Sequence, residues 1–287
     1  MTKGDTQSGS DASSCFSSRE MIYARFRHSA REAHGIVVGE HVFELEGDIF
    51  EEHTPAQTGI PLSEVTLLAP VPRPGKILAA AVNYQSHAPG ASAITRSEEA
   101  PAEPQLFLKP SSSVIGSDDP IVLPEGARRV DAEGELVAVI GRACRRVGPD
   151  QALDYVFGYT CGNDISARHW QRDDLQWWRA KGADTFSPIG PVIATDLDPA
   201  GLELTTRING EERQRTNTAA LVHSVGVLIA FASQVCTLEP GDLIFTGTPG
   251  ETPTILEGDV AEVEITGIGV LRNSVGRQAR QVAAESG

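Results

Sequence analysis

Apolar and polar residues alternate along most of the chain in short runs, and Gly, Pro and Asn separate one run from the next. Runs of this kind are typical of β-strands joined by tight turns. Asn209-Gly210 lies between two such runs and predicts a β-hairpin. Beyond residue 75 the pattern predicts strands at residues 76–82, 106–109, 121–123, 135–140, 156–160, 191–195, 202–209, 242–246 and 260–266.

The part of the chain before residue 76 has a pattern of its own. Short β segments at residues 35–39 and 41–45 are followed by a Pro-rich connector at residues 70–75. These changes along the chain predict its domain organisation. The predicted units are a flexible tail at residues 1–20, a small β domain at 21–73, a larger domain at 74–276 and a second tail at 277–287.

Helical periodicity is confined to two segments. Apolar residues recur at helical spacing from residue 221 to 235, and residues 216–218 offer caps for this helix, which is expected to pack on the sheet. A second helix is predicted at about residues 165–178. The chain is therefore predicted to have an α+β architecture that is mainly β.

Composition narrows the range of partners. The net charge is −15, from 24 Lys and Arg against 39 Asp and Glu, which argues against binding to nucleic acid or to an anionic membrane. A small-molecule ligand is the expectation. No apolar run approaches the roughly 18 residues of a membrane span. The first twenty residues lack a signal-peptide core, and the cysteines lack zinc-site spacing, so we expect a cytoplasmic protein with reduced thiols. The cysteines are Cys15, Cys144, Cys161 and Cys236.

Two acidic motifs carry the strongest chemical signal. Glu133 and Glu135 would point to the same face of a strand, about 7 Å apart, and so could share one cation. Taken alone, this spacing is more typical of a solvated strand face. Asp164 follows an apolar run and precedes a helix start, where it is either an N-cap or the third carboxylate of an all-oxygen Mg²⁺ or Mn²⁺ site. Neither motif decides between these alternatives.

The acidic motifs belong to a longer series that resembles the C-terminal domain of the fumarylacetoacetate hydrolase family. The resemblance extends over roughly 200 residues, from about residue 74 to residue 275. The matching segments, in order, are Lys76-Ile, Asn83-Tyr84-x-x-His87, Pro104-x-x-Phe107-Leu-Lys-Pro110, Glu133-x-Glu135, Gly158-Tyr-Thr, Asn163-Asp164-x-Ser-Ala-Arg168, Lys181-Gly-x-Asp184-x-x-x-Pro188-x-Gly190-Pro191, Asn209-Gly-Glu211, Gly241-Asp-x-Ile244-x-Thr246-Gly-Thr-Pro249 and Gly258-Asp259.

The resemblance implies a mixed β-roll around a metal site, in a protein that is usually a homodimer. Members of the family cleave C–C bonds in acylpyruvates and β-diketo acids, decarboxylate β-keto acids, or isomerise 2-oxo acids. Carried over position by position, the metal ligands are Glu133, Glu135 and Asp164, and the active-site lysine is Lys181. The implied cofactor is Mg²⁺ or Mn²⁺, with Ca²⁺ as a non-native occupant, and the implied substrate is a 2-oxo or β-diketo acid.

The resemblance also implies a set of substrate-binding residues. Arg168 and Gln171 are expected to hold a substrate carboxylate or to support the metal ligands, although a salt bridge within its helix would equally explain Arg168. Thr248 is expected to place a hydroxyl at the substrate carboxylate, whereas a bare Gly-Thr-Pro is only a turn. Tyr84 is expected to line the pocket or to support its loops. The residues expected to shape the wall are Phe107 and Lys109.

His87 is the predicted catalytic base, and here the chain departs from the family. In hydrolases and many decarboxylases of the family a Glu follows this His by three residues, but the corresponding residue in this chain is Gly90. Without a carboxylate partner the imidazole is expected to lose its orienting acceptor and the stabilisation of its protonated form. A nearby loop offers three replacement carboxylates. They are Glu98, Glu99 and Glu103.

Three functions follow, in this order. A metal-dependent hydrolase that cleaves a C–C bond in an acylpyruvate-type acid comes first, on its frequency in the family. A metal-dependent decarboxylase or keto–enol isomerase is the alternative, and the missing Glu favours it because these reactions depend less on an activated water. An inactive family member that serves as a binding or scaffold protein is the second alternative.

Overall fold

The computed structural model describes residues 20–89 and 97–278. The strands are β1 (Ile22–His28), β2 (Arg31–Val38), β3 (His41–Gly47), β4 (His53–Pro55), β5 (Ile60–Pro61), β6 (Thr66–Leu68), β7 (Ile77–Ala80), β8 (Leu106–Lys109), β9 (Val114–Ile115), β10 (Ile121–Leu123), β11 (Val130–Asp131), β12 (Gly134–Ile140), β13 (Val156–Asn163), β14 (Ser166–Ala167), β15 (Ser187–Ala194), β16 (Glu203–Ile208), β17 (Glu211–Asn217), β18 (Leu243–Phe245), β19 (Val260–Ile265) and β20 (Gly269–Arg277).

The helices whose bounds lie within the described residues are short. The α-helices are α1 (Pro149–Ala152), α2 (Arg168–Asp173), α3 (Trp178–Gly182) and α4 (Val225–Val235). The 3-10 helices are Leu62–Glu64, Gln85–His87, Ser111–Ser113, Leu153–Tyr155 and Thr218–Ala220.

One large mixed sheet organises the molecule. Ten of its 13 strands lie in the order β4-β3-β2-β1-β15-β13-β12-β18-β7-β8, and β5, β6 and β9 pair beside this path. The N-terminal strands continue the same sheet, because β1 pairs with β15. β12 is antiparallel to β13 and β18, whereas β18 and β7 are parallel. The predicted fold class, α+β and mainly β, is confirmed.

β12 lies at the centre of the core, and all seven of its residues are buried. Its side chains alternate between two apolar clusters, with Leu136 and Ile140 in one and Val137 and Val139 in the other. The buried face of α4 joins the first of these clusters. The predicted packing of this helix on the sheet is therefore confirmed.

A second sheet, in the order β10-β20-β19-β16-β17, contacts β12. Gly134 permits this approach, because a Cβ at that position would lie 2.1 Å from Oγ1 of Thr206 in β16. The predicted hairpin is confirmed, since Asn209 and Gly210 join the antiparallel β16 and β17 with φ angles of 55° and 79°.

The strand pattern missed β20. Its buried positions alternate as expected for a half-buried strand, but one of them is Asn273 rather than an apolar residue. The Asn273 amide donates hydrogen bonds to the carbonyls of Gly116 and Asp119, at 2.8 and 2.9 Å. A polar residue that is satisfied by the tertiary structure therefore concealed the alternation.

α4 begins later than predicted. Its N-cap is Ser224, whose hydroxyl accepts a hydrogen bond from the backbone N–H three residues on. Residues 216–218 were wrong as caps for this helix, because Asn217 caps the 3-10 helix Thr218–Ala220 instead. Leu221 then forms an isolated β-bridge before the helix starts.

The predicted helix at residues 165–178 was wrong as a single element. Ser166–Ala167 is a strand that pairs with β11, and two short helices, α2 and α3, follow it. The link between these helices makes one local contact with α3 and one tertiary contact with β8. The Asp174 carboxylate accepts from Arg179 at 2.5 and 2.7 Å, and the Trp177 ring packs on Phe107 at 5.3 Å between centroids.

Three cysteines, Cys144, Cys161 and Cys236, are free thiols, and Cys15 lies outside the described residues. The predicted tails also lie almost entirely outside them, and the domain boundaries stay a prediction. Within residues 20–89 and 97–278, no helix has the length and apolar character needed to cross a bilayer.

Asp242 links the beginnings of β7 and β18 through a buried carboxylate. Oδ1 accepts from the backbone N–H of Lys76 at 2.7 Å, and Oδ2 accepts from the backbone N–H of Glu239 at 2.7 Å and from the Lys76 ammonium at 2.8 Å. We expect Asp242→Ala to lower the free energy of unfolding by about 2–4 kcal/mol, because buried donors lose their acceptor.

Chemical denaturation measures this loss. In the control, Lys76→Ala removes the partly exposed ammonium but leaves both backbone N–H groups paired with Asp242, so it is expected to cost less than Asp242→Ala. Equal losses in the two variants would contradict a role for the buried carboxylate beyond its ion pair.

Candidate active site

A cavity of about 520 Å³ opens where β12 begins. It brings together side chains from parts of the chain that are far apart in sequence. The predicted site residues that line it are His87, Phe107, Glu133, Glu135, Arg168, Gln171, Lys181 and Thr248, and Asp164 is not among the lining residues.

Three carboxylates converge at the start of β12. Gly134 pairs with Asn163 of β13, and this register places Asp164 beside Glu133, where the Asp164 N–H donates to the Glu133 carbonyl at 2.9 Å. One carboxylate oxygen from each of Glu133, Glu135 and Asp164 lies within 4.8 Å of the other two. All three residues are at most 3% exposed. The solvated strand face considered for Glu133 and Glu135 is therefore wrong.

This donor set fits a hard divalent cation. Three buried carboxylates offer oxygen ligands only, the type that Mg²⁺ and Mn²⁺ prefer, and leave further coordination positions for water or a substrate. The cluster contains neither thiolate nor imidazole, so nothing in it favours zinc over these ions.

The environments of the two glutamates differ. Burial would raise the pKa of Glu133, but the positive charges of Arg168 and Lys181 outweigh it and hold that pKa well below its usual range. Burial together with the charges of Asp164 and Glu133 raises the pKa of Glu135 well above its usual range. One Oε of Glu135 accepts from the Gly247 N–H at 2.6 Å. Glu135 is therefore the member of the cluster that most needs a cation.

Two buried lysines face Asp164. The Lys181 ammonium, from α3, donates to Glu133 at 2.6 Å and to Asp164 at 2.5 Å. The Lys109 ammonium, from the end of β8, donates to the other Asp164 oxygen at 2.5 Å and to the carbonyls of Lys181 and Phe186. Burial lowers the pKa of Lys109, whereas Asp164 and Glu133 outweigh burial and raise the pKa of Lys181.

Arg168 supports the acidic cluster. Its Nε donates to Asp131 at 2.8 Å, and one terminal nitrogen donates to Glu133 at 2.5 Å and to the Thr252 hydroxyl at 2.6 Å. The other terminal nitrogen donates to Oε1 of Gln171 at 2.9 Å. Most of the guanidinium hydrogens are thus committed to protein acceptors, which favours the supporting role expected for Arg168 over direct binding of a substrate carboxylate.

Thr248 lies on the loop after β18. Its hydroxyl accepts from the buried Gln214 amide at 3.1 Å, and the same amide donates to the carbonyl of Pro249 at 2.6 Å. Gln214 thereby fixes the loop that carries Thr248 against the second sheet.

His87 occupies the end of the 3-10 helix Gln85–His87 and lines the cavity. Its Nδ1 lies 2.6 Å from the carbonyl oxygen of Gly250. A carbonyl oxygen only accepts hydrogen bonds, so Nδ1 carries the hydrogen. The expected loss of an orienting acceptor was therefore wrong, because a backbone carbonyl, without negative charge, takes that place.

The carboxylates suggested as replacements do not reach His87. Glu98, Glu99 and Glu103 are exposed, and none of them lines the cavity. Gly90, at the position where the family has its Glu, lies outside the described residues.

Tyr84 lies behind the cavity rather than in its wall. The side chain is 1% exposed, and its hydroxyl has no hydrogen-bond partner among the described residues. Burial and the neighbouring charge of Glu135 raise the pKa of this hydroxyl. The expectation that Tyr84 supports the pocket fits this position, and direct lining of the pocket does not.

Comparison with known proteins connects this geometry to a family. Residues 76–276 match the model of the fumarylacetoacetate (FAA) hydrolase C-terminal domain. The chain belongs to the fumarylacetoacetate hydrolase family. Residues 21–70 match a second model, that of the Rv2993c-like N-terminal region.

Relatives within the family carry different activities in their names. A structure of 5-carboxymethyl-2-hydroxymuconate delta-isomerase from Mycobacterium smegmatis is 42% identical, with a TM-score of 0.83 over 90% of this chain and 100% of that one. Oxaloacetate tautomerase fahd2, mitochondrial, from Xenopus laevis is 39% identical over 74% of this chain and 69% of its own length. Maleylpyruvate hydrolase from Sphingobium sp. SYK-6, solved with manganese(II) and pyruvate, is 33% identical, with a TM-score of 0.73 over 90% of this chain and 100% of that one.

Sequence reasoning missed three polar members of this family site. Lys109 was expected in the wall, although its spacing of two from Phe107 on β8 already placed both on one face. Asp131, fully buried, accepts from two arginines and from Thr252. It is also at i−2 from Glu133, so the same alternation could have identified it. No local sequence pattern could have identified Gln214, because it reaches the site from the second sheet.

We expect Glu135→Gln to weaken divalent-cation binding by more than the roughly 10–100-fold that loss of an outer partner costs, because it removes a ligand charge. The amide oxygen can still accept from Gly247, and a repelling charge disappears, so the cation-free variant should melt no lower than the unaltered protein. Titration with Mn²⁺ by calorimetry and thermal melting measure both effects. Glu251→Gln is the matched control, since Glu251 lines the cavity but is exposed. Unchanged Mn²⁺ affinity in Glu135→Gln would refute the ligand assignment.

Proposed function

We propose that this protein is a divalent-metal-dependent enzyme that tautomerises a 2-oxo acid. In the proposed reaction a proton leaves C3 of the substrate and a proton is delivered to the oxygen on C2, so that keto and enol forms interconvert with no other bond made or broken. The observation that carries the proposal is the imidazole of His87, held through Nδ1 by a neutral carbonyl on the wall of a cavity that Glu133 and Glu135 of the carboxylate cluster also line.

The proton acceptor in this proposal is Nε2 of His87. Because Nδ1–H is committed to Gly250, Nε2 is the ring nitrogen left with a free lone pair. Its partner is neutral and so does little to stabilise an imidazolium, in contrast to a carboxylate. A ring in this setting suits a proton that is taken from the substrate and returned within the same turnover better than sustained activation of water.

The remaining charges suit an oxyanion at C2. Glu133, Glu135 and Asp164 would hold Mg²⁺ or Mn²⁺, which supplies Lewis-acid polarisation of the 1-carboxylate and 2-oxo oxygens of a 2-oxo acid. The Lys181 ammonium lies at the cavity wall, 5.1 Å from the Phe107 ring centroid, and adds a second fixed positive charge near the developing oxyanion. Thr248 offers a hydroxyl to the substrate carboxylate.

A second candidate is hydrolysis of a C–C bond in an acylpyruvate, which the sequence ranked first. Its specific support is the similarity to maleylpyruvate hydrolase. Against it stands the lack, among the described residues, of a carboxylate that is hydrogen-bonded to the His87 ring, since hydrolysis needs an activated water. Decarboxylation shares the oxyanion at C2 and remains an alternative outcome.

The scaffold alternative leaves unexplained why repelling buried carboxylates are retained together with the basic side chains that compensate them.

Product analysis by NMR separates these reactions. The protein is incubated with Mg²⁺ or Mn²⁺ and with oxaloacetate, acetylpyruvate or fumarylpyruvate, with a chelator as control. We expect chelator-sensitive acceleration of keto–enol exchange in oxaloacetate, with slower or no cleavage of the acylpyruvates. Glu135→Gln is expected to lose this activity and Glu251→Gln to retain it.

Other results would overturn the proposal in distinct ways. Release of pyruvate and a second acid as the fastest reaction would favour hydrolysis, and release of CO₂ without faster exchange would favour decarboxylation. If none of these reactions occurs although the unaltered protein binds Mn²⁺, the scaffold alternative would be favoured.

We further propose that the enzyme is a homodimer. β8 is the last strand in the order of the large sheet and contacts α3, and this area exposes apolar side chains on both elements, Leu108 at 62% and Trp178 at 68%. Such an area beside an open strand edge favours association with another chain. The expected cytoplasmic location stays a prediction, and the Xenopus laevis relative is named as mitochondrial.

Analytical ultracentrifugation tests the dimer. We expect a dimer for the unaltered protein and a shift toward monomer in Leu108→Glu, because a charge would be buried without a partner. Val235→Glu, at a 78% exposed position on α4, is the control and should leave the mass unchanged. A monomer at all concentrations, or a dimer that both variants preserve, would contradict this interface.

A further inference from the structure

The turn that carries His87 and the loop after β18 meet at one residue, Gly250. The Gly250 carbonyl accepts from Nδ1 of His87 at 2.6 Å, and the Gly250 N–H donates to the hydroxyl of Ser86 at 3.1 Å. Both backbone polar groups of one residue are thus used by two consecutive residues of the opposing turn. We call these two hydrogen bonds the Gly250 clamp.

Both sides of the Gly250 clamp are anchored to the core. On the turn side, the Asn83 amide donates to the carbonyls of His223 and Thr246, at 2.9 and 2.8 Å. On the loop side, Gln214 donates to the carbonyl of Pro249 at 2.6 Å, and the Gly247 N–H donates to Glu135. The Gly250 carbonyl therefore has a direction that is set by the fold and not by His87 alone.

Backbone conformation at Gly250 sets where this carbonyl points. Its φ is +57°, in the left-handed region, and a Cβ built on it would have no atom within 4 Å. A side chain would therefore find space but would meet a conformational cost that depends on the residue type. Asn tolerates positive φ, whereas a β-branched residue such as Val strongly disfavours it.

We propose that Gly250 is a positioning residue, whose carbonyl keeps His87 in the Nδ1–H tautomer with Nε2 available to the substrate, in the place where a hydrolase of the family uses a carboxylate. The inference rests on the proposed function for the identity of the base, but the tautomer itself is a property of the resting protein. The two are therefore tested by separate measurements.

The test compares Gly250→Val with Gly250→Asn. Both variants place a side chain of similar size in the same open space, and they differ in how well they tolerate the left-handed conformation. Long-range ¹H–¹⁵N NMR of the imidazole rings, at an alkaline pH where histidines are ordinarily neutral, reports which ring nitrogen carries hydrogen. The His87 signals are assigned by their disappearance in His87→Asn.

We expect Nδ1–H as the single tautomer in the unaltered protein and in Gly250→Asn, and a mixture of tautomers in Gly250→Val. In the keto–enol exchange assay, Gly250→Val should lose about 10–100-fold in kcat with little change in KM, since the base is misdirected while the substrate-binding groups remain. Gly250→Asn, which tolerates the left-handed conformation, should lose less kcat than Gly250→Val.

Ser86→Ala provides an independent arm in case Gly250→Val does not fold. Ser86 is exposed, so its removal leaves the core intact and deletes only the acceptor for the Gly250 N–H. In Ser86→Ala we expect a smaller fraction of the Nε2–H tautomer of His87 than in Gly250→Val. A single Nδ1–H tautomer in both Gly250→Val and Ser86→Ala, or the other tautomer in the unaltered protein, would overturn the proposal. If the NMR result is as expected but exchange activity is absent from every form, the positioning stands and the proposed function fails.

Discussion

Burial of like charge is the constraint on which the site depends. Carboxylate oxygens within 4.8 Å of one another repel by about 3 kcal/mol per pair at an effective dielectric constant of about 20, before any cost of desolvation. Such a cluster persists only if positive charge is supplied from fixed positions, and Lys109, Lys181 and Arg168 supply it. They do so unevenly, because two of them contact Glu133 and none of them makes an ion pair with Glu135 among the described residues. Glu135 is therefore the carboxylate whose charge these basic residues leave without an ion pair, and a bound cation would compensate it.

Strand pairing and two glycines place these charged side chains close together. Antiparallel pairing of β12 and β13 brings the Glu-x-Glu motif and Asp164 together at neighbouring strand ends. Glycines at two points permit the close contacts that the cluster needs. Gly134 lets the second sheet approach behind the ligands, and Gly182 lets Pro110 approach α3, since a Cβ at that residue would lie 2.4 Å from the proline ring. Lys109 directly precedes Pro110, and Lys181 directly precedes Gly182. The two lysines therefore belong to the two segments that meet here, and both contact Asp164.

Local pattern marked the acidic residues as candidates, because alternation along a strand and position at a strand end are properties of short sequence, but only the resemblance to the family implied that they act together as metal ligands. Local pattern also located the central strands and the helix that packs on them. It failed where tertiary contacts decide the outcome. Asn273 replaces an apolar residue in β20 because two backbone carbonyls satisfy it, and His87 finds its acceptor 163 residues away in a loop whose course no local signal describes. The acceptor is also a main-chain atom, so no residue type marks it.

The identity of that acceptor bears on the choice of reaction. A carbonyl and a carboxylate orient an imidazole equally well, but only the carboxylate stabilises the ring once it is protonated. In this cavity a protonated His87 would lie near Glu133, whose charge already compensates Arg168 and Lys181. On the proposed function, a cycle that returns the proton to the substrate suits an imidazole held by a carbonyl better than one that generates hydroxide. A carbonyl in the place of the carboxylate therefore leaves the direction of the imidazole intact and removes one negative charge from beside the ring.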